Sequence, residues 1–500
     1  MDISRRGLLA AAGAAGVAHL TGPGPAQAAR PELTQAGGPR SAQAGGPRSA
    51  RAAGPDWGAL DASLDGTVER PGTSGYDATR KLYDPRFDGI RPPAVARCAH
   101  AGDVAEAIRF ARRSGVTVVT RGGGHSYVGA STSPSALVLD VRRLAAVSYD
   151  AASRTATIGG GARLIDVYDR LAARGVSIPS GSCGSVGVSG ITSGGGIGMA
   201  SAAYGLTCDV VTEARVVLSD GRERVVDARR QPELFWALRG GGGGQFGVVT
   251  GWRMRTFPAA ATGQFTMDFR WEHAGAVAAG WQAFLTGRRS SWSSCQFVAG
   301  ADGRLSVRVN GFVIGAAPDA EAAALHRAVR REPLAAKLTR RPYLDVVHER
   351  SGSGDGRTEI VGSDVFAGPL PERAIAAILA TVRARAATGR AGTAKLKQLT
   401  GAPAAVPADA TAFPWRGAHT LMQWLVMPPS ADAATARDAY TWIDRGHRAV
   451  AAWSAGRYVN YLEPEPALMT RSYGPHLARL RRVRASADPT GLFRTPYTLR

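Results

Sequence analysis

The stretch from Ile178 to Leu206, IPSGSCGSVGVSGITSGGGIGMASAAYGL, holds nine glycines in 29 residues and one cysteine, Cys183. A run so poor in side chains cannot be a packed helix or strand along its whole length. Glycine is concentrated this way where backbone must take positive φ or come close to something bulky. The residues therefore predict a loop against a large flat or phosphate-bearing ligand, with Cys183 facing it. A glycine-rich surface loop fits the same residues.

Two further glycine turns flank this stretch. Arg121-Gly122-Gly123-Gly124-His125-Ser126 follows the β-branched run Val116–Thr120, and Gly240–Gly244 joins a short helix, Pro232–Leu238, to a strand, Phe246–Phe257. Around them, helix-like runs (Asp103–Ser114, Leu164–Arg174) alternate with strand-like runs (Leu137–Val141, Thr155–Ile158). Glu213–Ser219 and Arg224–Asp227 read as a hairpin around Asp220-Gly221. Turns that aim backbone N–H groups at an anion hold a pyrophosphate without many lysines. The P-loop signature and the Rossmann fingerprint are both missing from the sequence.

From Gln264 to about Ala452 the character changes. Tryptophans cluster (Trp271, Trp281, Trp292, Trp415, Trp424, Trp442, Trp453), strands lie at Leu305–Ile314 and Thr420–Met427, and helices at Asp319–Arg331 and Glu372–Ala387. This predicts a sheet with helices on one face that shapes a pocket. The tryptophans suit either an open groove that stacks on sugars or a core. The tail, Gly456–Arg500, contains Tyr458-Val459-Asn460-Tyr461 and a helix with Leu477, Leu480 and Val483 on one face.

The formal charge is +21, yet only four of 61 basic residues are lysine (Lys81, Lys337, Lys395, Lys397) and the arginines are spread along the chain. A nucleic-acid footprint would cluster on one face, so no nucleic-acid partner is expected. Ser4-Arg5-Arg6-Gly7-Leu8-Leu9, the apolar run to Leu20 and Ala26-Gln27-Ala28 read as a twin-arginine signal peptide, too short to span a bilayer. The repeated QAGGPRSA at Gln35–Ala42 and Gln43–Ala50 reads as a flexible linker. No C-x-x-C pair occurs among Cys98, Cys183, Cys208 and Cys295, and an unassigned disulfide among them is left open. Cys183 and His125 sit in glycine turns. Taken singly they read as a thiol–imidazole pair, or as a small hydrophobe and a buried turn histidine; a metal site lacks further ligands.

Four blocks in order, RGGGHSYVGAS, SCGSVGVSG…GGGIG…YGL, ELFWALRGGGGGQFGVVT and YVNYLEPE…YGPHLARLRRVRASADPTGLF, resemble the berberine-bridge-enzyme-like FAD-linked oxidases of the vanillyl-alcohol-oxidase, PCMH-type superfamily. The resemblance runs from Ala94 to the C-terminus. It implies FAD held by two covalent bonds, from His125 to the flavin 8-methyl group and from Cys183 to ring carbon 6. It implies that Arg121, Gly122, Gly123, Gly124, Ser126, Gly187, Gly190, Gly195, Gly196, Gln245, Val248 and Asn460 wrap the cofactor. Val186 falls at the position of an oxygen gate, where valine goes with oxidases. Tyr461 matches the base that takes the substrate hydroxyl proton, with Arg416 or the tethered flavin as the charge that lowers its pKa. Gln423, on the pocket-facing strand of FPWRGAHTLMQW, stands where some relatives carry a glutamate base. Thr420, Trp424 and Gln245 depart from the usual residues.

The expectation is an α+β protein: a leader (1–28), a linker (29–56), a PCMH-type two-part FAD-binding domain (57–257, core 94–257), a substrate domain with an antiparallel sheet covered by helices (258–455), and a C-terminal segment (456–500) returning to the first domain. The implied activity is a secreted oxidase. It moves a hydride from an alcohol of a sugar, oligosaccharide or natural product to bicovalent FAD, with oxygen reduced to hydrogen peroxide. A tailoring oxidase of C–N or C–C bonds and a non-catalytic flavin-binding protein are the alternatives. The expected partners are a small-molecule substrate and molecular oxygen, with no metal and no membrane span.

Overall fold

Parallel strands need crossovers, and the first sheet obtains one from an amphipathic helix. The computed structural model describes residues 54–352, 355–465 and 469–499, so the leader and nearly all of the linker lie outside the described residues. Strands β1 (Thr67–Glu69), β2 (Ala94–Arg97), β3 (Val118–Arg121) and β4 (Leu137–Asp140) form a sheet ordered β1-β2-β4-β3. Strands β2 and β3 both run parallel to β4, and the helix Ala101–Arg113 carries the chain from β2 to β3. Its Val104, Ala107, Ile108 and Ala111, at helical spacing, bury against Val118, Leu137 and Leu139.

A second sheet is antiparallel throughout. It contains β5 (Val147–Asp150), β6 (Thr155–Gly159), β8 (Val211–Val217), β9 (Glu223–Val226) and β10 (Val248–Arg255), in the order β5-β6-β10-β8-β9. The short β7 (Val176–Ser177) pairs with β11 (Phe257–Pro258) beside it.

The third large sheet has eight antiparallel strands: β12 (Thr262–Phe269), β13 (Ser291–Ala299), β14 (Leu305–Ile314), β15 (Ala335–Arg341), β16 (Ile360–Phe366), β17 (Gly392–Gln398), β18 (Thr420–Val426) and β19 (Ser454–Gly456), ordered β15-β12-β14-β13-β17-β18-β16-β19. Helices Ala274–Phe284, Asp319–Val329, Glu372–Ala386 and Ala433–Val450 cover one face, burying Phe297, Leu396, Met422 and Trp424. Side chains alternate along a strand, so Lys395, Lys397, Gln423 and Leu425 take the opposite face. Trp281, Trp424 and Trp442 fill the helix-side core, and among the described residues no tryptophan lines the cavity. These indoles hold the sheet to its helices, so of the two readings left open the core applies to them, and tyrosines stand in the cavity wall.

The C-terminal segment packs among the residues of the second sheet through Leu480 and Val483. It also clasps the first sheet: Val118 donates its N–H to Leu492 O and accepts from Arg494 N. All four cysteines are free thiols. Cys98, Cys208 and Cys295 lie in three separate cores, out of one another's reach, which removes the disulfide left open by the sequence. No described helix is long and apolar enough to cross a membrane.

Candidate active site

The three glycine turns meet at one cavity of about 560 Å³, whose far wall is the open face of β17 and β18. The first two turns touch backbone to backbone: a Cβ on Gly123 would lie 2.2 Å from Gly187 N, and one on Gly187 would lie 2.3 Å from Gly123 N. Only glycine at both positions lets the two loops close. Around Gly122, Gly190 and Gly243 no atom comes nearer than 3.9 Å to a built Cβ, so these glycines leave the cavity open where a side chain would enter it.

His125 and Cys183 both line this cavity, brought there by the contacting turns. The His125 ring stacks on Tyr83 with centroids 3.8 Å apart. Burial holds its pKa down to about 4, against a hydrogen bond to the Ser185 backbone, so the imidazole is neutral. Its buried Nε2 has no partner among the described residues. Cys183 is half-buried, with its sulfur 3.7 Å from Ser185 Oγ. A neutral imidazole and a thiol are what two covalent attachments to a planar ligand require.

Gly122, Gly123, Ser126, Val186, Gly187, Gly190, Gln245, Val248 and Asn460 also stand in the wall. Arg121 reaches it only next to the turn. Its buried guanidinium holds the carbonyls of Thr79, Arg80 and Ser131, so it supports the loop instead of presenting charge to a ligand. Gly124, Gly195 and Gly196 are not among the cavity residues. Gly196 donates its N–H to Tyr458 Oη, and side chains on Gly195 and Gly196 would strike Phe413 and Thr207. These glycines shape the loop behind the wall. Gln245 spends both ends of its amide on the protein, donating to Tyr473 Oη at 2.8 Å and accepting from Leu499 N at 2.8 Å. Asn460 donates to Ile191 O and Tyr458 Oη, which fastens the turn Val459–Tyr461 to the glycine stretch.

Tyr461 closes the cavity against β17. Lys397 Nζ donates to Tyr461 Oη at 2.6 Å. Burial pushes the phenol up and the ammonium down to about 8. Tyr127 and Tyr458 set their rings edge-on to Tyr461, with centroids 5.8 and 5.1 Å away. Gln423 faces the cavity from β18, whereas Thr420 and Trp424 of the same strand are buried, Trp424 Nε1 donating to Asp364. Of the two charges the sequence offered for Tyr461, the tethered flavin and Arg416, the second is not found beside it. Arg416 lies outside the cavity wall, its guanidinium paired with Asp209 at 2.5 and 2.9 Å. Lys397 takes that place. Lys395, Arg350, Arg357 and Glu359 also escaped the sequence reading. The available signal was Lys395-Leu396-Lys397, two of four lysines, two residues apart on a strand, in a chain that otherwise uses arginine. Lysine can titrate near neutrality when buried; arginine cannot.

A family model described as FAD binding domain matches residues 92–227. The chain is similar to the uncharacterized FAD-linked oxidoreductase YgaK of Bacillus subtilis, with 30% identity over 414 residues, 81% of this chain and 90% of that one. Its fold is similar to BBE-like 1 of Physcomitrella patens, with TM-score 0.80, 24% identity, and coverage of 89% of this chain and 99% of that one. It is also similar in fold to a chitooligosaccharide oxidase, with TM-score 0.80, 21% identity, and coverage of 89% and 99%.

Proposed function

Since the chain belongs to the berberine-bridge-enzyme-like FAD-linked oxidoreductases of the PCMH type, we propose that it is an oxidase that turns an alcohol carbon into a carbonyl. The observation that carries this reading is the Lys397–Tyr461 hydrogen bond, 2.6 Å long, in the wall of the cavity that holds His125 and Cys183. FAD fits the residues present. The open glycine turns would take its pyrophosphate, and His125 and Cys183, both free to react, would tether its ring. The chemistry that FAD supplies when bound is acceptance of a hydride and passage of two electrons to dioxygen, giving hydrogen peroxide.

The chain's own residues handle the proton. Tyr461 Oη takes the hydroxyl proton of the substrate, and the phenol's own proton moves to Lys397 Nζ along the bond that joins them. A lysine held near 8 can change its charge at working pH, as a base relay requires. Gln423, without a side-chain hydrogen bond to any described residue, offers its amide to the substrate. Val186 in the wall leaves a smaller obstruction to dioxygen than a leucine would. Export through the twin-arginine route after the flavin is loaded fits the leader at residues 1–28.

The purified protein should be yellow, and flavin should remain with the polypeptide after acid precipitation. Peroxide release across a panel of sugars, oligosaccharides and aromatic alcohols identifies the alcohol. A colourless protein, or flavin reduction in Tyr461→Phe as fast as in the parent, refutes the reading.

A further inference from the structure

The substrate side of the cavity carries more positive charge than the residues around it balance. Arg350, at the end of the helix Tyr343–Ser351, lines the cavity with its guanidinium 4.4 Å from the centre of the Phe312 ring. It makes no hydrogen bond or ion pair to any described residue, and its Nε is buried without a partner. Lys395 lies directly across the ladder from Gln423, on the face of β17 that also presents Lys397, and of these two lysines Lys397 lines the cavity while Lys395 stands beside it. It too has no hydrogen bond or ion pair to a described residue. Burial, and after it the charges of Lys397 and Arg350, lower its pKa to about 7. Among the described residues the single carboxylate in the cavity wall is Glu359, which already accepts from Arg357 Nε at 2.6 Å.

Cations left unpaired in a sheltered site are costly unless something neutralises them. The glycine turns that suit the cofactor's pyrophosphate need no such help. On this basis we propose that the substrate is an acidic alcohol, whose carboxylate is held by Arg350, with Lys395 as the neighbouring charge, while its hydroxyl lies at Tyr461. This rests on the oxidase reading above and narrows it. Arg350 supplies a planar donor fork matched to a carboxylate, and Lys395 a point charge beside Gln423. Both are specificity residues; the proton chemistry stays with Tyr461 and Lys397.

The test is a titration of the flavin-loaded protein, read by the flavin's visible absorbance, with matched probes: galacturonate against galactose, and 4-hydroxybenzoate against 4-hydroxybenzyl alcohol. In at least one pair the acid should perturb the spectrum saturably at a concentration at least about tenfold below its neutral partner, the scale of one charge-assisted contact. Arg350→Gln and Lys395→Met should each remove most of that difference while flavin content and the affinity of the neutral probe stay unchanged. Equal binding of acid and neutral probe in both pairs overturns the inference, and so does an acid preference that survives both substitutions. A shift of flavin potential in Arg350→Gln with acid binding intact would assign the arginine to the cofactor, again against the inference. Flavin reduction by neutral alcohols without acid preference would leave the oxidase reading standing and remove only this one. Acid preference without reduction by any alcohol would overturn the oxidase reading and this inference with it, leaving only an acid-binding site.

Discussion

The ammonium of Lys397 lies 2.6 Å from the phenol oxygen of Tyr461 and 5.0 Å from the centre of its ring. The ammonium thus sits off the hydroxyl end of the ring, on the oxygen that accepts a proton. Burial acts on the two partners in opposite senses, raising the phenol and lowering the ammonium to about 8.

The sign of the pH dependence follows. Below about pH 8 Lys397 keeps its proton and Tyr461 keeps its own, so the pair cannot accept another. Above it one proton has left and the relay is open. Anaerobic flavin reduction by substrate should therefore speed up as pH rises through about 8 and level off above. Lys397→Met should abolish that limb and slow reduction by about 10²–10⁴-fold, the usual worth of a positioned base. A pH-independent rate in the parent contradicts the relay.

The proposed attachment of the flavin divides between two residues. His125→Ala and Cys183→Ala should each leave one covalent bond, so that flavin fluorescence still travels with the denatured polypeptide on a gel. The double variant should release FAD to acid. Release from either single variant would show that the other residue makes no bond.

The contact of Gly123 with Gly187 tolerates no added carbon. Gly187→Ala would press Cβ to 2.3 Å from backbone nitrogen, so one loop must move. The expected cost is about 1–3 kcal/mol of stability, as for other overpacking changes, with reduced flavin content. Gly190→Ala meets no atom within 4 Å and should keep the parent's melting temperature in the flavin-free protein. Equal melting temperatures for the two variants would contradict the steric account.

Arg416 and Asp209 form an ion pair with side chains 2% and 7% exposed. Removing one member strands the other, which typically costs about 3–5 kcal/mol. Arg416→Met should lower the melting temperature markedly while leaving the pH limb of flavin reduction in place. A change in that limb would return Arg416 to the proton relay.

Much of the fold was legible because its signals are local. The helix at Ala101–Arg113, the hairpin of β8 and β9, and strand β14 stand within a few residues of where periodicity and turn residues put them. The meeting of His125 with Cys183 was legible only through resemblance, since nothing local links two turns 58 positions apart in the chain. Arg416 was misread because the sequence places it in a pocket-facing motif, whereas Asp209, far away in the chain, captures its charge. Lys397 was overlooked because its role depends on a tyrosine 64 residues further along the chain, and a contact across such a separation leaves no local mark. Tryptophan spacing could not distinguish groove from core. The helix-covered face of the eight-stranded sheet decided it.

Gln245 accepts a hydrogen bond from Leu499, and Val118 is bridged to Phe493. This clasp fixes an order of assembly. While a ribosome is still making the chain, the glycine turns emerge long before the residues that lock them, so the cavity stays ajar until the segment through Leu499 has emerged. Folding of the first sheet can run ahead, but closure over a flavin waits for the segment that carries Phe493 and Leu499. Truncation just before Phe493 should therefore yield chains that retain secondary structure and fail to keep their cofactor.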